Sequence, residues 1–255
     1  MSRRVELATV LALVTALTVW VTWGALRPLP VVQDEYSYVL QAQIFAHGHW
    51  TAPAPPVPSS FQQAHVLSVP RVASKYPPGH ALMLALGALA GTPWLMSLLL
   101  SGISGALVFL LSGAIAGRWI GIACWAIWLG DPINLRFSPG YYSEITSGLM
   151  WLVSWWLLLS WRADKRGLWL MALAVAIGWM AITRPLTALA FAIPVGIWVV
   201  MSTVRRHHTR QLAAALLLGT AVVAILPLWS ASTTGRWSLS PEELYRQDCS
   251  ASVEM

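Results

Sequence analysis

The sequence predicts an all-α fold, a polytopic membrane helix bundle of about seven spans with amphipathic interfacial helices in the first external loop. Three observations predict it. Apolar residues make up 57% of the chain and charged residues only 10%, with a positive mean hydropathy, which is too apolar for a water-soluble globule. Several windows reach the roughly 20 apolar residues that a hydrocarbon core of about 30 Å requires. Lys and Arg gather in short patches between these windows, as cytoplasmic anchors do, and the 16 Trp suit a bilayer interface.

The predicted spans, in order, are about 6–26, 93–116, 118–131, 142–161, 168–183, 186–204 and 211–230. The first follows Ser2-Arg3-Arg4. Its apolar run exceeds the roughly 7–15 residues of a signal peptide and no A-x-A site follows, so it reads as a retained anchor. Residues 27–92 form the first external loop. Within it, DEYSYVLQAQIFAHGHW has Val39, Ala42, Phe45 and Ala46 at helical spacing and stops at Gly48, which reads as an amphipathic helix with Asp34 at or near its N-cap. The stretch APAPPVP at 52–58 is an extended linker. His80 to Ala90 is apolar but too short to cross, and reads as a helix in the interface. Residues 1–230 thus form one transmembrane region, and 231–255 read as a polar external tail and a truncation point.

Orientation follows from parity. Arg3-Arg4, the patch at 162–166 and the patch at 205–210 are the basic clusters, and the positive-inside rule assigns all three to the cytoplasm. The first span then delivers residues 27–78 to the outer face. The span 142–161 must start outside, so an even number of crossings lies between 78 and 131, as an interfacial helix at 80–90 requires. Asp34, Glu35, Arg71, Lys75, Asp131, Arg136, Glu144 and Arg184 all fall at the outer face, and any chemistry is expected there.

Several of these residues have plainer roles. Asp34 and Glu35 suit a cap and a helix dipole, Lys75 suits snorkelling to headgroups, and Arg184 suits a topological anchor. Against those readings, Glu144 opens an apolar span, where an acid is costly unless it meets a partner or a polar cavity. Arg184 lies on the side opposite the other anchors. Asp34 and Glu35, about 100° apart on a helix, cannot serve one atom equally, so one is expected to face a site and the other to secure the helix.

The ordered set of Asp34-Glu35 after the first span, Pro77-Pro78 leading into a short apolar helix, Ser138-Pro139 before Glu144, and Thr183-Arg184-Pro185 between spans resembles the GT-C class of membrane glycosyltransferases. The nearest likeness is to the protein mannosyltransferase and aminoarabinose transferase branch, over roughly residues 5 to 230. The resemblance implies an integral-membrane enzyme of the plasma membrane and cell envelope, N-terminus cytoplasmic and active face external. Such an enzyme passes a hexosyl or pentosyl group from a polyprenyl-phosphate donor to a lipid, glycan or protein acceptor. It implies Asp34 as the catalytic base with Glu35 beside it, Lys75 and Arg184 near the donor phosphate, and Glu144 as an acid of the substrate site. Where some relatives carry a metal-binding acid before the lysine, this chain has Ser74; no ligand set for a divalent metal is evident, and His65 and His80 make no ligand spacing.

The rival expectations are a transporter or flippase of lipid-linked sugars, and an inactive structural subunit or fragment. A transporter normally shows repeated halves with charges near mid-membrane. Nucleic acid is not an expected partner, since no basic stripe occurs, and Cys124 and Cys249 form neither a metal nor a disulfide pattern.

Overall fold

The computed structural model describes residues 2–23, 29–205 and 209–253. Helix accounts for 77% of the chain and strand for 3%, so the all-α expectation holds. The helices are α1 (Ser2–Trp23), α2 (Gln33–Ala46), α3 (Gly79–Ala88), α4 (Pro93–Ala116), α5 (Arg118–Gly130), α6 (Pro132–Phe137), α7 (Ser143–Asp164), α8 (Gly167–Ala181), α9 (Pro185–Arg205), α10 (Thr209–Val223), α11 (Ile225–Thr234) and α12 (Pro241–Val253). Three short strands, β1 (Ala52–Pro53), β2 (Val66–Leu67) and β3 (Arg71–Ser74), form an antiparallel sheet in the order β1-β3-β2.

Among the described residues four helical stretches are long and apolar enough to cross a membrane: Arg3–Trp23, Pro93–Ala116, Pro185–Thr203 and Thr209–Thr234. The other three expected spans, at 118–131, 142–161 and 168–183, lie outside this set for two reasons. At 13 residues α5 is about 20 Å long, and at 15 residues α8 is about 22 Å, both short of the hydrocarbon thickness. The 22 residues of α7 suffice in length, but the helix carries Glu144, Arg162 and Asp164 together with several serines. Large apolar side chains remain exposed along α1, α9 and α10, up to 82% for Leu186 and 72% for Leu217, the surface of a bundle that faces lipid.

Two packing units build the bundle. In one, α8 lies between α7 and α10, with α9 completing a core of Leu157, Trp161, Leu173, Met180, Phe191 and Val199. In the other, α4 packs against α1 and α5. Gly117, at φ +93°, turns the chain from α4 into α5, and a Cβ on Gly121 would stand 3.0 Å from the Gly113 Cα. Small residues at that contact let the two backbones close up without side chains between them.

The helix ends sort by charge. Trp23, at the C-terminal end of α1, packs edge-on against Tyr141, just before α7. Both Arg3-Arg4, at the far end of α1, and the 162–166 patch, at the far end of α7, therefore lie at the opposite end of the bundle. The third patch follows the far end of α9, and its residues 206–208 lie outside the described residues.

Candidate functional site

The start of α2 assigns different tasks to its two adjacent acids. The helix begins at Gln33 with Val32 as N-cap, so Asp34 is the second residue of the helix and Glu35 the third. Glu35, 2% exposed, does the capping. Its Oε2 accepts from the backbone N–H of Val31 (2.8 Å) and Val32 (3.1 Å), and its Oε1 accepts from Tyr141 N–H (2.8 Å). One carboxylate thus closes the helix end and ties α2 to the loop before α7. The loop accommodates it because residue 140 is glycine: a Cβ there would lie 2.6 Å from Glu35 Oε1.

Asp34, relieved of capping, turns to side chains. Tyr76 Oη donates to Asp34 Oδ1 at 2.8 Å, and His65 Nδ1 is in ion-pair contact with the same oxygen. Tyr76 Oη and His65 Nδ1 lie 2.8 Å apart, so the three groups form one cluster. Burial, and then the bond to Asp34, push the Tyr76 phenol above its ordinary pKa, which keeps it a neutral donor.

The loop carrying His65 and Tyr76 is held by the polar face of α2. Ser37 Oγ donates to His65 O (2.8 Å), which leaves Ser74 Oγ as donor to Ser37 (2.7 Å), and Ser74 Oγ accepts from Tyr76 N–H (3.1 Å). Gln41 accepts from Ser74 N–H (3.0 Å) and donates to Trp50 O (2.9 Å). The amphipathic reading of α2 caught Ala42, which is fully buried, but missed that Ser37 and Gln41 are fully buried too. Their partners lie in the strands and loops of the external segment, which hydropathy does not register.

Across the cluster, Arg184 pairs with Glu144. Asp34, Tyr76, Glu144 and Arg184 line one cavity of about 300 Å³, together with Glu242 from α12. The cavity gathers the starts of α2, α7, α9 and α12 and the end of α8 at the end of the bundle away from Arg3-Arg4 and 162–166. Glycine at 79 lets α3 sit directly on its floor: Gly79 N–H donates to Ile182 O (2.8 Å), and a Cβ would lie 2.9 Å from the Ile182 carbonyl carbon. Beneath, His80 is fully buried. It donates from Nε2 to Tyr141 O (2.8 Å), which leaves Nδ1 to accept from Thr146 Oγ1 (2.8 Å). Desolvation lowers the His80 pKa to about 4, so the ring is a neutral strut.

Of the residues singled out in the sequence, Asp34, Glu144 and Arg184 are brought together, and Glu35 lies behind them as a structural carboxylate. Lys75 is not in the cavity wall. Its ammonium lies over the rings of Tyr76 (5.0 Å) and Tyr245 (4.8 Å). His65, Tyr76, Glu242 and Tyr245 were not legible as site residues. The segment 231–255, expected as a polar tail, instead contributes α12, whose Tyr245 hydroxyl accepts from His65 N–H at 3.1 Å. The run Pro241-Glu242-Glu243, a helix start with acids in its first turn, was the available signal.

Among the described residues no three His, Cys, Asp or Glu side chains are grouped to hold a metal ion. No family model, no curated protein and no solved structure matches the chain.

Proposed function

We propose that the chain is an integral-membrane glycosyltransferase with seven crossings and its N-terminus cytoplasmic, transferring a sugar from a polyprenyl-phosphate donor to an acceptor at the outer face. The observation that carries this reading is the convergence of Asp34 with the Glu144–Arg184 pair on one cavity at the end of the bundle remote from two of the basic patches. A sugar phosphate brings its own leaving group. The protein needs a carboxylate to take the acceptor's hydroxyl proton and a cation to neutralise the departing phosphate.

Asp34 is the base in this reading. Tyr76 and His65 fix the orientation of its carboxylate. Arg184 spends one N–H on Glu144 and has further N–H donors for a phosphate oxygen. Lys75, over the ring of Tyr76, adds positive charge near the cavity wall. The cavity holds three carboxylates and one guanidinium, so the phosphate is expected on the Arg184 side, with the acids facing the sugar and the acceptor.

The test is sugar transfer by the purified protein in proteoliposomes, with a labelled polyprenyl-phosphate sugar and an envelope extract as acceptor source. Asp34→Asn keeps the shape and loses the base, so transfer should fall about 10²-fold or more with normal insertion and thermal stability. Transfer at the parent rate by this variant would refute the assignment of Asp34, and absence of transfer by the parent protein would refute the activity.

A further inference from the structure

A second cavity, of about 430 Å³, lies between α4, α5, α6 and α7 and shares one wall residue, Glu144, with the first. Its body is apolar and aromatic, formed by Trp128, Phe137, Trp151 and Leu152. Its lining includes two groups that have no hydrogen-bond partner among the described residues. Ser101, 2% exposed, has an unpartnered hydroxyl, and Asn134 has an unpartnered amide nitrogen. The Asn134 oxygen accepts from Ser138 Oγ (2.9 Å), and Nδ2 is left as a donor without a partner. Leaving such groups dry is expensive, more so where no water competes.

The unmet groups define the ligand. Asn134 Nδ2 needs an acceptor, and the Ser101 hydroxyl can give or take one bond. Asp131 and Glu144 line the cavity and no Lys or Arg does, which disfavours an anionic headgroup. The rim carries exposed Ile133 and Gly148, so the cavity opens to the surface. Gly148 also leaves it unobstructed: a Cβ there would meet nothing within 4 Å.

We propose that this cavity binds an uncharged, hydroxyl-bearing lipid, with its oxygen between Ser101 and Asn134 and its chain along Trp128, Phe137 and Trp151. The site does not depend on the transferase reading, and its test uses no sugar donor. The probe is a dodecanol analogue with a diazirine in its chain, photolysed with the intact protein in nanodiscs and mapped by peptide mass spectrometry. Saturable labelling of α5–α6 and the first half of α7 is expected, while labelling of the exposed face of α9 should not saturate. Unlabelled dodecanol should compete, and dodecane and dodecyl phosphate should compete markedly less.

Gly148→Leu fills the cavity and should remove the saturable labelling. Ser101→Ala should weaken competition by dodecanol about two- to tenfold, the range for one hydrogen bond. Should Gly148→Leu fail to give a monodisperse protein, Ser101→Ala decides alone. Equal competition by dodecane would reduce the site to an apolar groove. Equal competition by dodecyl phosphate would make it a site for an anionic lipid. Either result, or no saturable labelling, overturns the proposal.

Discussion

Replacing Glu35 by Ala should destabilise the protein, and the loss can be worked bond by bond. The carboxylate accepts three backbone N–H groups, but they differ in access to solvent. Val31 and Val32 are 68% and 39% exposed, so water or headgroups can replace the carboxylate there, at under about 1 kcal/mol each. Tyr141 is 1% exposed, and its N–H would be left dry at about 1–3 kcal/mol. The total is about 1–5 kcal/mol, centred near about 3 kcal/mol. At about 2–4 °C per kcal/mol for a chain of this size, Tm should fall by roughly 6–12 °C at that centre. Intrinsic Trp fluorescence during thermal unfolding in detergent reads the shift, and hydrogen exchange should show the Tyr141 amide losing protection. Asp34→Asn, one residue away, should leave Tm within about 2 °C, because its partners are partly exposed side chains. An unchanged Tm for Glu35→Ala would refute the assignment of Glu35 as the tie between α2 and the loop before α7.

Gly79→Ala forces a Cβ against the backbone of Ile182 and should cost about 1–3 kcal/mol in the same thermal assay, since backbone cannot yield as a side chain does. An unaffected Tm would show that α3 is not seated on residues 182–183. Acid should weaken the fold through His80. Its folded pKa of about 4 lies below the ordinary 6.5, so the unfolded chain takes up the proton first. The stability is fully present above about pH 6.5 and is lost as pH falls toward 4, at about 1.4 kcal/mol per unit; His80→Gln should flatten that slope in melts recorded from pH 7 to 4. In the transfer assay, Arg184→Gln should raise KM for the donor about tenfold or more, and Lys75→Ala, outside the cavity wall, less than about threefold. The reverse order would move the phosphate to the Lys75 side.

Hydropathy made the helices legible where lipid contact alone specifies them. The windows 93–116 and 186–204 match α4 and α9 to within a residue, and the first window overlaps α1. It failed where packing partners, not lipid, satisfy the chain. The apolar windows at 118–131 and 168–183 are real helices, α5 and α8, but both are short. α8 lies packed between α7 and α10, so its apolar character serves a protein core as much as a bilayer. The candidate acids were legible because a carboxylate at the mouth of an apolar helix demands a reason. Their partners were not: His65 and Tyr76 lie 31 and 42 positions after Asp34, and Tyr245 comes 180 positions after His65. Only the folded external segment brings them together.

The pair of acids at the start of α2 shows how the fold keeps a carboxylate available in an apolar chain. A lone acid at a helix start is drawn to the unpaired backbone N–H groups there, and its oxygens are then occupied. Here Glu35 takes the N–H groups of Val31 and the N-cap Val32 and also the Tyr141 N–H, so both of its oxygens are used structurally. Asp34, about 100° round the helix, is left with side-chain partners that sit on a loop and are partly exposed. Those partners can yield to a ligand at little cost to the helix, whereas the Glu35 bonds cannot. The same division appears across the cavity, where Glu144 answers Arg184 at the surface while fully buried His80 braces the start of α7 below. Rigid polar struts lie underneath and exchangeable side-chain contacts lie on top, an arrangement that lets a ligand re-pair the surface groups without loosening the bundle.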